Sequence, residues 1–477
     1  MNLSTDIEEN IKNLQNYYGI NDTFDIITRE LLIGNKKAYL LMIDGFAKDQ
    51  IMLYVIQRLQ DLDLKKIKND NLASFIKKNM AYMEVSKSSD FSLLDSMFLS
   101  GAVLLFVEKE ENAIIIDARE YPIRSVSEPE LEKVTRGPRD GFVETLIFNT
   151  ALIRRRVKDN NLRFNIKNIG KESKTNIAIS YLNNKVDKKL LNQIKNKIDK
   201  LDVNHLTMSE KSLSELLFPN KWYNPLPKVR YTERPDVVAA HLFEGHIIII
   251  VDASPSVMII PTTFFHFTQH IEDYYQTPLV GTYLRQLRFS VILISLFLIP
   301  IWYLLIIYDI GLPDSLEFIR NVKEVNVPIF MQLISLEFGI DILKMSSIHT
   351  PSNLSTTLGI IGGLILGQFA VDAGILSIEV ILMIAITGIC SFAIASPEMN
   401  YAIKIFRLFL LIMTGIFKLP GFILSLIIIL IIIATTNNGS EISYLYPLIP
   451  FNWKHLKHIL FRFPTPKQVK SKKPSKK

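Results

Sequence analysis

Two carboxylates and one amine interrupt a long apolar stretch in the C-terminal half of the chain. Glu337 and Asp341 stand four residues apart, and Lys344 follows them. On a helix, residues at these spacings share one face. At membrane depth each charge costs about 3 kcal/mol unless it faces protein or water, so such groups are candidates for an ion pathway. The alternative is an amphipathic helix at the membrane surface, with its charges in water.

Glycines recur at every fourth residue further along the chain, at Gly359, Gly363 and Gly367. Such a stripe lets helix backbones approach closely, within a subunit or between subunits. It also leaves room for ions if the helix lines a narrow conduit, and Asp372, just beyond the stripe, would then lie at the mouth. Both interpretations make these residues candidates for a pore or for helix packing.

Residue patterns that would support catalysis or cofactor binding are missing from the sequence. Gly170–Thr175 ends like a phosphate-binding loop but lacks the first glycine of that motif. Ser254 and Ser256 lack the surrounding glycines of an esterase elbow. His266 and His270 stand four apart, but no third metal ligand has a useful spacing. We therefore predict no catalytic residue, no metal and no cofactor, and a protein that is not an enzyme.

The charged stretch is one of several apolar segments that begin at Phe289. Helices of about 18–20 residues cross ~30 Å of hydrocarbon, and these segments approach or reach that length. In chain order they are Phe289–Tyr308, Pro328–Met345, Leu354–Val371, Val380–Ser396, Ala402–Phe417 and Leu419–Thr436. The second and the fifth contain charges. We expect six spans if both cross and four if neither does, so the number of spans is even.

The two ends of the chain predict its orientation. Met1–Glu9 lacks the basic and apolar regions of a signal peptide, so the N-terminal half is expected to stay cytosolic. From Phe451 onward there are nine Lys or Arg residues and no carboxylate. Basic residues beside a span are typical of the cytosolic face, where they attract anionic lipid; Arg285 and Arg288 are expected to anchor the first span in the same way. Nucleic acid is the weaker alternative, because the tail has no aromatic platform or reading motif.

The region before Phe289 predicts a mixed fold of helices and strands. Short aliphatic or β-branched runs bounded by turns indicate strands, and apolar residues at helical spacing indicate helices. The predicted strands are Ala38–Ile43, Ala102–Val107, Ala113–Ile116, Asn176–Tyr181, His246–Val251 and Val257–Pro261, and the predicted helices are Asp49–Leu59, Asn71–Met80, Lys188–Ile198 and Ser209–Leu217. Turn residues at Asp252–Ser256 predict a hairpin between the last two strands. No internal repeat is evident.

These patterns predict a two-part soluble region of α/β or α+β class, followed by an all-α transmembrane bundle. The expected domains are a soluble subdomain at 1–122, a second at 123–288, a helical membrane domain of four to six spans at 289–440, and a basic cytosolic tail at 441–477.

Several strings are too specific for composition to explain. They are Asp117–Pro122, Ser127–Glu130, Thr135–Phe142, Asn149–Arg156 and Tyr231–Asp236. These strings resemble the A-subunit family of GerA-type spore germination receptors, and the likeness runs from about residue 20 to about residue 460. Three further strings, Thr262–His270, Gln276–Tyr283 and Pro447–Trp453, are most similar to the stage V sporulation protein AF branch of that family.

The resemblance implies a location in the inner spore membrane, with both termini cytosolic. It also implies a homo-oligomeric ring, a pentamer in the family, that forms an ion channel and helps to release ions during germination. Other membrane proteins of the germination machinery are the implied partners, beside anionic lipid. Two alternatives stay open: a nutrient receptor A subunit that acts with a transporter-like partner, and a membrane scaffold that conducts nothing.

Arginines are concentrated in the strings that carry the resemblance. Arginine pairs through two parallel hydrogen bonds with carboxylate, which favours fixed networks at domain or subunit junctions. The candidates for such an interface are Arg136, Arg139, Arg154, Arg155, Arg156, Glu233 and Arg234. The alternative is a solvated charged surface.

Overall fold

The computed structural model describes residues 3–33, 36–47, 49–61, 85–119, 132, 134–309, 311, 325–349, 365–439 and 441–464. The chain divides into two compact units. The first, the sheet unit, comprises Met1–Pro219 and Val229–Thr262, and the second, the helical unit, comprises Asn220–Lys228 and Thr263–Lys477. The domain boundaries expected from the sequence stay predictions.

The first half of the sheet unit is built around a five-stranded sheet. In chain order its elements are α1 (Ile7–Tyr18), β1 (Ile26–Ile33), β2 (Lys36–Ile43), α2 (Asp49–Gln60), β3 (Val85–Ser88), α3 (Phe91–Leu99), β4 (Val103–Val107) and β5 (Ala113–Ile116). The strands are all antiparallel, in the order β1-β2-β4-β5-β3. Every residue of β4 and β5 is buried, because apolar clusters cover both faces of the sheet.

The second half of the sheet unit holds another five-stranded sheet. Its elements are α4 (Leu146–Arg156), β6 (Leu162–Ile169), β7 (Thr175–Leu182), α5 (Lys188–Asp199), α6 (Ser209–Leu217), β8 (Arg230–Thr232), α7 (Pro235–Glu244), β9 (Ile247–Val251) and β10 (Val257–Ile260). The strands are again antiparallel, in the order β6-β7-β9-β10-β8. Helices α5 and α6 pack their apolar faces on this sheet.

The two sheets have the same topology. Counting strands from one in each half gives the order 1-2-4-5-3 twice, so the sheet unit contains a structural repeat that the sequence does not reveal. Antiparallel pairing throughout selects α+β from the two predicted classes. The predicted strands and the β9-β10 hairpin are confirmed; the predicted helix Asn71–Met80 lies outside the described residues.

The helical unit contains four long apolar helices among the described residues. In chain order these are α8 (Pro278–Ile307), α9 (Ile329–His349), α10 (Ile378–Phe392) and α11 (Pro397–Thr435). A short basic helix, α12 (Trp453–Leu460), follows them. Two of them, α8 and α11, are long and apolar enough to cross a membrane. The predicted span Leu354–Val371 lies mostly outside the described residues.

Helix α11 holds two of the predicted spans and is interrupted between them. Lys418 has a φ of 55° and a ψ of −136°, which no helix accommodates, and Pro420 follows. A Cβ added to Gly421 would clash with the carbonyl oxygen of Met413. In a straight helix those residues would be about 12 Å apart along the axis, so the chain reverses sharply at Lys418 and the two halves of α11 form a hairpin.

Candidate functional site

An ion pair at the centre of the helical unit joins α9 to α11. Arg407 Nη2 donates to Glu337 Oε2 at 2.9 Å, and Arg407 Nε lies 2.9 Å from Glu337 Oε1. Arg407 Nη1 also donates to the hydroxyl and the carbonyl oxygen of Ser295 on α8, at 2.9 and 3.0 Å. Glu337 and Arg407 are only 2% and 3% exposed. Three helices therefore meet at one buried guanidinium.

Lys404 extends this pair into a network of four charges. It forms an ion pair with Asp341, and its Nζ lies 3.5 Å from Glu337 Oε2. Its Nζ also donates to the Glu337 carbonyl oxygen at 3.4 Å. The Asp341 side chain remains 41% exposed, whereas that of Glu337 is 3% exposed. One end of the network is thus closed inside the bundle and the other reaches its surface.

The network accounts for four of the five charges in the two segments Pro328–Met345 and Ala402–Phe417; the fifth, Lys344, donates to the Ser391 hydroxyl at 3.0 Å. Two carboxylates of α9 face two cations of α11, so each charge is balanced by a partner from the other segment. A buried ion pair is costly to form, but removing one partner is costlier still, because it leaves an unpaired charge. The charges therefore link α9 to α11. We name Glu337, Asp341, Lys404 and Arg407 the ion network.

The remaining pore candidates are separate from the ion network in the described residues. A Cβ added to Gly367 would meet nothing within 4 Å. Asp372 is exposed. Gly359 and Gly363 lie outside the described residues, and the glycine stripe stays a prediction.

A second buried ion pair lies in the sheet unit, between its two halves. Arg154 on α4 donates from Nε and Nη2 to Asp25 Oδ2 at 2.9 and 2.7 Å, and the side chains are 1% and 2% exposed. Asp25 directly precedes β1 and also accepts a hydrogen bond from Thr23. The Thr23 hydroxyl accepts from the Phe164 backbone on β6 at 3.0 Å. The pair therefore fixes the first sheet against the second.

Arg234 and Glu132 form another network within the sheet unit. Arg234 pairs with Asp236 at 2.9 Å and donates to the Pro138 carbonyl oxygen at 3.1 Å. Glu132 accepts from Arg230 and from Thr232, each at 2.6 Å. These bonds hold Glu132 on β8 and Pro138 at the start of α7.

The other interface candidates are less buried. Arg156 pairs with Asp140 at 2.6 Å, and the Glu233 carbonyl oxygen accepts from the Phe142 backbone at 2.8 Å. Arg136, Arg139 and Arg155 are exposed. The arginine candidates therefore separate into two groups, one that stabilises the sheet unit internally and one on its surface.

Two titratable groups of the sheet unit have environments that displace their pKa. Burial is the main cause that lowers the pKa of His246 to about 4; the His246 Nδ1 lies 3.2 Å from the His241 carbonyl oxygen. Burial, reinforced by the charge of Asp95 and by the hydrogen bond to it at 2.8 Å, raises the pKa of Tyr18. Both groups are therefore uncharged at neutral pH in the folded chain.

Histidines and arginines near the start of α8 are engaged with protein groups. His266 Nδ1 accepts from the Thr263 backbone at 2.9 Å, and His270 Nδ1 accepts from the Glu272 backbone at 3.2 Å. No group of three potential metal ligands occurs in the part of the chain that the structure describes. Arg285, expected at lipid headgroups, is 2% exposed and donates instead to the carbonyl oxygens at the end of α12, the shortest bond being 2.8 Å to His458. A cation placed there stabilises the C-terminus of the helix.

Sequence reasoning missed Asp25 and Ser295. Their arginine partners are distant in the chain, since Arg154 stands 129 residues from Asp25 and Arg407 stands 112 residues from Ser295. Only the unusual presence of charges in two apolar segments, Pro328–Met345 and Ala402–Phe417, could have suggested that those segments pair with each other.

Comparison with known proteins gives matches along almost the whole chain. The family model described as Bacillus/Clostridium GerA spore germination protein matches residues 12–475. Stage V sporulation protein AF of Bacillus subtilis (strain 168) is 40% identical over 458 residues, which cover 96% of this chain and 92% of that protein. Spore germination protein KA of the same strain is 29% identical over 472 residues, which cover 97% of this chain and 85% of that protein. Among solved structures, the N-terminal domain of the A subunit of the Bacillus megaterium spore germinant receptor GerK3 is 26% identical; the match covers 55% of this chain and 98% of that chain, with a TM-score of 0.44.

Proposed function

This chain belongs to the GerA family of Bacillus/Clostridium spore germination proteins, and from that premise we propose that it is a membrane channel-forming subunit that takes part in ion release during germination. The family and the stage V sporulation protein AF likeness predicted from the sequence are confirmed. Two helices, α8 and α11, are long and apolar enough to cross a membrane. The function is that of an accessory channel.

The ion network is the observation that supports conduction best. A helical bundle that served only as an anchor would need no charges, and each charge at membrane depth costs free energy. Here four charges meet on two helices, and the partly exposed Asp341 brings one carboxylate to the surface of the bundle. Water or a neighbouring helix can reach that carboxylate. In a ring of subunits, these carboxylates would each still pair with Lys404 and would present their exposed oxygens to passing cations, as acidic rings do in cation channels.

Gly367 supports assembly into a homo-oligomer. Because a Cβ there would meet nothing within 4 Å among the described residues, packing inside that part of the subunit does not require a glycine. Gly367 is then available for contact with another subunit or for lining a conduit, and the sequence repeats glycine at four-residue steps before it, at Gly363 and Gly359.

We further infer a multi-pass location in the inner spore membrane, with both termini cytosolic. The apolar segments and the basic residues after Phe451 support this topology. The partners under this proposal are further copies of the chain, other membrane proteins of the germination machinery, and anionic lipid.

Conductance of the purified full-length protein in planar lipid bilayers tests the proposal. We expect ion current from the wild-type protein, and a severalfold loss of current for Asp341→Asn and for Gly363→Leu. Gly339→Ala is the control for a substituted glycine on α9: a Cβ there meets nothing within 4 Å, so this variant should insert and conduct normally. A folded wild-type protein that inserts into the bilayer and carries no current would leave only the scaffold function.

Deletion in spores separates the accessory channel from a nutrient receptor subunit. Loss of an accessory channel should slow ion release after every nutrient. Loss of a receptor subunit should abolish the response to particular nutrients and leave the others unchanged, and that outcome would replace the proposal by the receptor function.

A further inference from the structure

Two loop segments of the helical unit lie at the end of α11. Asn224 Nδ2 donates to the Thr436 hydroxyl at 2.9 Å, immediately after the helix ends. The Tyr444 hydroxyl donates to the Pro227 carbonyl oxygen at 2.9 Å. The segments 220–228 and 441–452 are therefore held at the point where the second long apolar helix ends.

Helix α12 connects this end of α11 with the beginning of α8. Arg285 of α8 donates to the His458 carbonyl oxygen at 2.8 Å, and the Arg462 backbone donates to the Thr282 hydroxyl at 3.1 Å. Both contacts on α8 precede Phe289, where its uncharged run begins. The start of one candidate span and the end of the other thus lie at the same end of the helical unit.

Large aromatic side chains at this end are exposed. Trp222 is 96% exposed, Phe451 is 67% exposed and Trp453 is 58% exposed. The rings of Phe451 and Trp453 are stacked on each other, with centroids 6.4 Å apart, and Ile449 is exposed beside them in the chain. Ile449, Phe451 and Trp453 are contiguous exposed apolar groups of the kind that mark an interaction surface, and tryptophans near the ends of spanning helices, as Trp222 is, are typical of the headgroup layer.

The charge around these aromatic residues is positive. Lys454 and Lys457 are exposed on α12, and Trp453–Leu460 contains no carboxylate. Basic residues next to exposed aromatic residues are the composition of an interfacial helix that binds anionic lipid. A protein partner would equally need an acidic surface, but it would not explain why the surface coincides with the ends of both candidate spans.

We propose that this surface docks on the headgroup layer of a membrane that contains anionic phospholipid, with the aromatic rings inserted between headgroups and the lysines paired with phosphates. This proposal rests on the membrane location that is part of the proposed function. We name it the aromatic platform, and its residues are Trp222, Ile449, Phe451, Trp453, Lys454 and Lys457.

Tryptophan quenching in vesicles tests the depth of the platform. The chain has three tryptophans, and Trp302 is only 2% exposed, so it gives a constant background. The difference in emission between the wild-type protein and Trp453→Phe isolates Trp453, and Trp222→Phe isolates Trp222 in the same way. Both residues are exposed, so these variants should fold normally.

We expect nitroxide lipids labelled at the headgroup to quench Trp453 and Trp222 more strongly than lipids labelled deep in the acyl chain. This order should hold in phosphatidylcholine vesicles with and without phosphatidylglycerol. Quenching by aqueous iodide alone, or protection from both kinds of quencher as in a contact between protein chains, would overturn the proposal.

A charge-matched pair of double variants tests the preference for anionic lipid. Headgroup-labelled phosphatidylglycerol should quench Trp453 more than labelled phosphatidylcholine does at the same mole fraction, because the two lysines attract the anionic lipid. Lys454→Gln with Lys457→Gln should remove this preference, as should high salt. Lys200→Gln with Lys211→Gln removes the same charge from exposed positions of the sheet unit and should leave the preference for phosphatidylglycerol unchanged. If both double variants lost this preference equally, docking through Lys454 and Lys457 would be contradicted.

The two proposals fail separately in these experiments. Protein that resists carbonate extraction but leaves Trp453 accessible only to iodide would overturn the aromatic platform and leave the membrane channel intact. Protein that shows headgroup quenching but carries no current in bilayers would overturn the channel and leave the platform intact.

Discussion

Arg154 and Asp25 are 129 residues apart in the chain and form a buried ion pair between the two sheets, with N–O distances of 2.7 and 2.9 Å. Asp25 precedes the first strand of the first sheet, and Arg154 lies on the helix that leads into the second. The backbone of Phe24 donates to the Phe164 carbonyl oxygen at 3.0 Å in the same place. Among the described residues, this ion pair and the hydrogen bonds around it join the repeated sheets, together with apolar contacts such as that of Ala151 on α4 with the core of the first sheet.

Arg154→Met should destabilise the sheet unit by about 3–5 kcal/mol, because Asp25 would be left buried without its partner. Urea unfolding of the purified protein, followed by far-UV circular dichroism, measures this loss. Arg155→Met is the control, since Arg155 is exposed on the same helix, and should change the free energy of unfolding by less than about 0.5 kcal/mol. If the two variants lowered the free energy of unfolding equally, the ion pair between Arg154 and Asp25 would contribute no more to stability than an exposed arginine does.

Arg407→Met should lower the stability of the helical unit by a similar amount, roughly 3 kcal/mol, because it leaves Glu337 buried beside a single lysine. Thermal unfolding in detergent, monitored by size-exclusion chromatography, gives the comparison with the wild-type protein. Asp372→Asn alters an exposed carboxylate and should unfold at the wild-type temperature. The double variant Glu337→Gln with Arg407→Met should recover part of the loss, since it leaves neither charge alone.

Gly421→Ala should prevent the reversal in α11, because the new Cβ would clash with the Met413 carbonyl oxygen. Backbone atoms cannot move aside as a flexible side chain can, so we expect a loss of folded protein in detergent extracts. Gly339→Ala is the control: its Cβ meets nothing within 4 Å, and alanine favours a helix interior by up to about 1 kcal/mol over glycine. A normal yield of Gly421→Ala would exclude the sharp hairpin at Lys418.

The sheet unit should lose stability as the pH falls from about 6.5 to about 4, the range between the ordinary pKa of histidine and that of His246 in the folded chain. In this range the unfolded chain binds a proton that the folded chain does not, so stability rises with pH and is complete above the unfolded pKa. Over the whole range the free energy of unfolding should fall by about 3 kcal/mol. Urea unfolding at several pH values measures it, and His246→Gln should flatten the dependence while His205→Gln, at an exposed position, should keep it.

The sequence by itself determined which segments are buried and in what kind of structure. The sequence predicts strands at His246–Val251 and Ala113–Ile116, and the structure has strands at Ile247–Val251 and Ala113–Ile116 in which every residue is buried. The apolar runs beginning at Phe289 and Leu419 likewise lie in helices long and apolar enough to span a membrane. These features are local, because the composition and period of a short segment fix its preference for the interior and its backbone geometry.

Only the tertiary structure decided which charges meet. Glu337 accepts a hydrogen bond from Arg407, which stands 70 residues away in the chain. No rule of sequence spacing predicts this pair, because each side chain could have faced water, lipid or another chain. The strand order that repeats in the two sheets, and the reversal at Lys418, were likewise undetermined by local pattern. Partner choice depends on how separate elements pack in three dimensions, and a periodicity within one segment carries no information about the element that covers it.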